Sequence, residues 1–171
     1  MKIAKPQFFD RPTLAVAEDL IGCYLVRKSR NKIERFMITE TEAYDGFHDL
    51  ASHASKGKTP RNEIMFGPAG YWYTYFVYGV HWMLNIVTGQ KGYPAAVLIR
   101  GTKEVNGPAR LTKKLSITGK FNKTKAVRST GLWIEIGDHK IPKNKIKRTK
   151  RVGVDYAGPI WANKKYRFVL G

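Results

Sequence analysis

The run Tyr71-Trp-Tyr-Thr-Tyr-Phe-Val-Tyr-Gly-Val-His-Trp-Met-Leu-Asn-Ile-Val87 decides the fold. Aromatic and β-branched residues favour a pleated, half-buried surface, so it reads as strands over 71–77 and 82–87. Between them, Tyr78-Gly79-Val80-His81 supplies the turn, with Gly79 free to take a positive φ. The run lies inside 64–90, which contains no Asp, Glu, Lys or Arg over 27 residues. A membrane helix needs about 20 predominantly apolar residues, and this stretch carries too many tyrosine hydroxyls, His81, Asn85, Gly70 and Gly79 to be one. The segment is uncharged for another reason.

Working outward, Met37-Ile-Thr-Glu-Thr-Glu-Ala-Tyr44 reads as extended chain. Further strands are expected at 23–26, 36–39, 95–99, 132–136 and 167–170, with a basic turn over 28–32. A helix is expected with Asp10 as its cap, Pro12 in its first turn, and Leu14, Ala17, Leu20 and Ile21 at helical spacing before Gly22. Gly107-Pro108 opens a second helix over 108–115. A polar loop over 52–62 leads into a helical turn near Glu63. Segment 143–151 is strongly basic, and no helix or strand is assigned to it. The expected fold is α+β: one domain over 1–171, a mostly antiparallel curved β-sheet with a protruding β-hairpin and a few flanking helices.

Lys and Arg number 31 against 13 Asp and Glu, giving the 171-residue chain a net charge of +18. Such an excess selects polyanions, nucleic acid first and an anionic membrane surface second. A single cysteine, Cys23, excludes an intramolecular disulfide scaffold, a four-thiolate iron–sulfur cluster and a paired-cysteine zinc site. The N-terminus lacks the apolar core of a signal peptide, so a cytoplasmic, nucleoid-associated location is expected, or a nuclear one in a eukaryote. Gly57-Lys58-Thr59 fails as a phosphate loop because Ser52 stands where glycine is required. His48 and His53 are five apart, and His81 and His139 are scattered, so no metal and no cofactor are expected.

Three constellations carry chemistry. Strand alternation puts Glu40 and Glu42 on one face and Thr41 and Ala43 on the other. The two acids either balance nearby lysines at a rim or place a carboxylate at a reaction centre. The tyrosines of 71–78 are either core or stacking platforms for unpaired bases. Tyr78, at a hairpin tip, invites a third role as a wedge between bases. Six positive charges within 143–151, including Lys147 and Arg148, and the smaller cluster Lys56, Lys58 and Arg61, are either solvated loops or contacts to backbone phosphates.

The order of Glu40-Thr-Glu-Ala-Tyr44, Ser52-His-Ala54, Lys58-Thr-Pro-Arg-Asn62, Met65-Phe66, Tyr73-Thr-Tyr-Phe-Val-Tyr-Gly79, Met83-Leu-Asn85, Val97-Leu-Ile-Arg100, Gly107-Pro108 and Arg151-Val-Gly-Val154 resembles the 3-methyladenine DNA glycosylases of the alkyladenine type. The likeness runs from Phe9 to Leu170. It implies that Glu42 is the general base that activates water, and that Arg100 orients that water with help from the Val152 carbonyl. It implies that Tyr44, His53 and Tyr75 wall the pocket for a flipped base, that Asn85 crowds the amino group of normal guanine, and that Tyr78 fills the gap left in the duplex. His81 stands where the mammalian pattern has tyrosine. The implied partner is double-stranded DNA containing damaged purines, bound by a monomer without metal. Two other readings stay open on the residues alone: a non-catalytic basic RNA- or DNA-binding module, and a glycosylase–lyase with a lysine nucleophile.

Overall fold

The computed structural model describes residues 1–171. In chain order the regular elements are β1 (Lys2–Ile3), α1 (Pro6–Phe9), α2 (Thr13–Asp19), β2 (Tyr24–Ser29), β3 (Lys32–Asp45), β4 (Trp72–Val77), β5 (His81–Val87), β6 (Ala95–Thr102), α3 (Pro108–Lys114), β7 (Leu132–Ile136), β8 (Ile146–Thr149), α4 (Gly158–Ala162) and β9 (Arg167–Leu170). The strands form one sheet in the order β1-β7-β2-β3-β6-β5-β4, with β9 pairing both β3 and β8. Every paired ladder is antiparallel. The α+β expectation is met.

The hairpin forms as expected, with strand ends moved by one residue at Trp72 and His81. Tyr78 and Gly79 both take positive φ, 52° and 64°, which suits a tight hairpin turn. Other expectations need correction. Asp10 caps no helix start; it follows α1, a short helix that the sequence reading missed, and Pro12 is the N-cap of α2 rather than part of its first turn. Segment 143–151, to which the sequence reading assigns no element, contains β8, which pairs with β9.

Alternation along the strands gives the sheet two faces. Thr41, Leu84, Ile86, Val97, Ile99 and Phe168 point to one side, where α2 and α3 close the main core around Val16, Leu20 and Leu111. The Thr41 hydroxyl donates to the carbonyl of Ala17 in α2 at 2.8 Å, tying helix to sheet. The opposite face carries Glu40, Glu42, Tyr73, Asn85, Val87 and Ala96, and Ala54 and Met65 pack on Tyr73, Val87 and Ala96 as a smaller apolar cluster. No helix is long and apolar enough to cross a membrane.

Candidate active site

Strand register builds the site. Glu42 pairs with Leu98, Leu98 with Asn85, and Asn85 with Tyr73, so the four stand in one row across β3, β6, β5 and β4. Neighbouring strands lie ~4.8 Å apart, which puts the two ends of this row about 14 Å from each other. The acid occupies one end and the aromatic wall the other. Between Glu40–Gly101 and Thr41–Ile99 the β3–β6 register slips, leaving Arg100 as an extra residue on β6. Bulges re-aim side chains, and this one delivers Arg100 to both acids. Its Nε lies 2.8 Å from Glu40 Oε1 and 3.5 Å from Glu42 Oε1. Arg167, from β9, also donates to Glu40 Oε1, at 2.6 Å.

Glu42 has no solvent exposure. Its Oε1 accepts the Val152 backbone N–H at 2.8 Å, and its Oε2 accepts the Tyr44 hydroxyl at 2.9 Å. Burial pushes its carboxyl above the usual range, while the Arg100 charge, the Val152 N–H and the Tyr44 hydroxyl pull it back. The Tyr44 hydroxyl is held well above its ordinary pKa by burial and by Glu42, which keeps it a proton donor to the carboxylate. A carboxylate offers about four acceptor positions. Val152, Tyr44 and the looser Arg100 contact take three, so one acceptor position stays unfilled.

Beyond Tyr44 a cavity opens, lined by His53, Met65, Tyr73, Tyr75, Asn85 and Tyr156, with Ala96 at its floor and about 40 Å³ of free space. The short turn His53–Lys56, capped by the Ser52 hydroxyl on the Ala54 N–H, fixes His53 over the strands. The His53 ring meets Tyr75 edge-on with centroids 4.6 Å apart, and its Nδ1 shares a 3.0 Å hydrogen bond with the Tyr73 hydroxyl. Burial, then the Arg61 charge, lowers the His53 pKa below its ordinary value. Asn85 Nδ2 donates to the Tyr73 carbonyl at 3.2 Å, which orients the amide.

The structure thus brings Glu42, Arg100, Tyr44, His53, Tyr75, Asn85 and Val152 together. Val152 meets Glu42 through its N–H, whereas the resemblance had implied its carbonyl as a water ligand. Tyr78 stands on the hairpin tip, 93% exposed. Arg61 lies over the Tyr75 ring at 5.2 Å and donates to the Phe76 carbonyl, close to the tip of that hairpin. Lys58 is exposed beside the Phe66 ring, 5.9 Å from its centroid.

The basic segment separates. Lys147 pairs with Val169, which pairs with Glu40, so Lys147 shares the acid face. Arg148 is one residue on and points to the opposite face, where Nη2 donates to Glu18 Oε1 at 3.0 Å. Arg151, counted in the same run by sequence, is buried and paired with Asp49. Sequence reading missed Tyr156, Asp49 and Arg167. No local pattern marks them: Asp49 sits in the loop after β3, Arg167 on β9 between β3 and β8, and Tyr156 in a short turn after β8.

A sequence model of the family described as Methylpurine-DNA glycosylase (MPG) matches residues 7–107 and 102–171. A relative from Anaeromyxobacter sp. (strain Fw109-5) is 42% identical across 99% of this chain and 89% of its own, and one from Myxococcus xanthus (strain DK1622) is 43% identical across 94% and 86%. A third, from Legionella pneumophila (strain Corby), is 38% identical across 99% and 94%. All three carry the name "Putative 3-methyladenine DNA glycosylase". With nearly its whole length matched and a buried acid hydrogen-bonded to a wall of an aromatic cavity, this chain belongs to the methylpurine-DNA glycosylase family, hydrolases of N-glycosyl bonds.

Proposed function

We propose that the protein, acting as a monomer, excises damaged purines, above all methylated ones, from double-stranded DNA by direct attack of water. The observation that carries this reading is the fully buried Glu42 carboxylate, which accepts a hydrogen bond from Tyr44, a wall of a tyrosine- and histidine-lined cavity. Burying a carboxylate is costly, and a non-catalytic binding module has no use for that cost.

In the proposed step, Glu42 takes a proton from water as the water oxygen bonds to the sugar C1′. The N-glycosidic electron pair leaves with the base. If N-methylation has made the purine ring cationic, that pair neutralises it, which makes it a good leaving group. The sugar becomes cation-like as the bond breaks, and the Glu42 charge stabilises it. Arg100 favours the ionised form of Glu42 against the effect of burial. Tyr44, His53 and Tyr75 hold the extruded base, with tyrosine rings favouring a cationic purine. Asn85 reads the edge of the base. Tyr78 occupies the space the base vacates, while Lys58, Arg61 and Lys147 meet phosphates.

The test is release of free base from duplexes carrying 7-methylguanine, 3-methyladenine, hypoxanthine or ethenoadenine. Release that leaves intact abasic DNA supports the reading. Release of none of these bases overturns it, and a borohydride-trapped protein–DNA adduct would replace water attack with a lysine nucleophile.

A further inference from the structure

Asp49 and Arg151 form an ion pair with no solvent exposure on either side chain. Arg151 Nη2 donates to Asp49 Oδ1 at 2.8 Å, and Nη1 donates to the second carboxylate oxygen and to the Ala43 carbonyl. Asp49 also accepts the N–H of Asp45 at 3.0 Å and of Ala51 at 3.1 Å. The pair therefore clamps three stretches of chain: the end of β3 that carries Glu42 and Tyr44, the loop that leads to His53, and the segment that presents the Val152 N–H.

Two features speak against stability as the purpose of this pair. Buried ion pairs contribute little net stability, because desolvation offsets their attraction. Arg151 Nε, moreover, is buried without a hydrogen-bond partner. What the pair does supply is placement. The Arg151 guanidinium stacks 4.9 Å from the Tyr44 ring and 5.2 Å from the Tyr166 ring. The next residue is Val152, whose N–H holds Glu42 Oε1. Both hydrogen-bond donors that orient Glu42, the Tyr44 hydroxyl and the Val152 amide, are thus set by one side chain.

We infer that Asp49 and Arg151 are positioning residues for the Glu42 carboxylate, acting through Tyr44 and Val152. The inference rests on the reading of Glu42 as the general base. A misplacement of about 1 Å can cost 10²-fold in rate. Loss of the clamp is therefore expected to lower the chemical step and leave DNA binding intact.

The experiment is a double-mutant cycle under single-turnover conditions. Its substrate is a duplex bearing 7-methylguanine, whose cationic base leaves readily enough to keep slow variants measurable. Wild type, Asp49→Asn, Glu42→Gln and the double variant are compared, with Arg151→Lys alone and with Glu42→Gln as a second cycle should Asp49→Asn fail to fold. We expect Asp49→Asn, or Arg151→Lys, to lower the maximal rate roughly 10- to 100-fold with the half-saturating enzyme concentration little changed. The added loss should vanish in the Glu42→Gln background. Losses that multiply in full, or that appear equally in DNA binding, would overturn the positioning role. A normal rate in Asp49→Asn with a slow Glu42→Gln would overturn it alone. A normal rate in Glu42→Gln would instead remove the general-base reading on which it stands.

Discussion

The Val152 amide and the Glu42 carboxylate are 110 residues apart in sequence and 2.8 Å apart in space. Val152 lies in the stretch between β8 and α4, and Glu42 near the end of the longest strand. The acid is held where β6, β9 and the loop after β8 converge on β3. Its chemistry depends on chain that its own strand does not supply.

The first prediction is a pH dependence. Glu42 must be ionised to accept a proton, and burial raises its pKa while Arg100 opposes the rise. Excision should therefore fall as pH drops, with an acid limb centred above the roughly 4.3 of an ordinary glutamate. Arg100→Gln removes the charge that favours the ionised form, so it should move that limb to higher pH. Single-turnover rates across pH measure this, and a limb that stays put in Arg100→Gln would show that Arg100 does not tune the acid.

Tyr78 offers a test of the hairpin. A core tyrosine cut to alanine would cost about 3–5 kcal/mol. At 93% exposure, Tyr78→Ala should change stability by less than about 0.5 kcal/mol. Its effect should appear in excision from duplex, with much less change for the same lesion in a single strand. Melting curves together with the two rates check both halves of this expectation.

Adjacent residues of β8 should behave differently. Lys147→Ala is expected to weaken binding to damaged and undamaged duplexes alike and to reduce the salt slope by about one. Arg148→Ala, which breaks a contact with Glu18 on the far face, should leave that slope unchanged. Salt titrations of the two single variants decide the matter. Equal slopes for both would mean that β8 register does not sort the charges.

Much of this was legible because it follows a period. Alternation in β3 puts Glu40 and Glu42 together, and the aromatic run around Tyr78-Gly79 could only be a hairpin. Charge run and charge location are different things, however. Lys147, Arg148 and Arg151 look alike in the sequence, yet pairing sends one to the acid face, one to α2 and one into the interior. The Arg100 bulge was invisible for the same reason, since a register slip belongs to two strands and not to either. Asp10 misled because a good capping residue beside a proline also suits the end of a preceding short helix. Tyr156 reaches the cavity only through the fold of a loop that shows no periodicity.

The most direct test of the whole account is the single-turnover rate of free-base release from a 7-methylguanine duplex by wild type and by Glu42→Gln, measured with binding to the same duplex. A fall of roughly 10²-fold or more in rate at unchanged affinity is expected. Release by Glu42→Gln at close to the wild-type rate would contradict it.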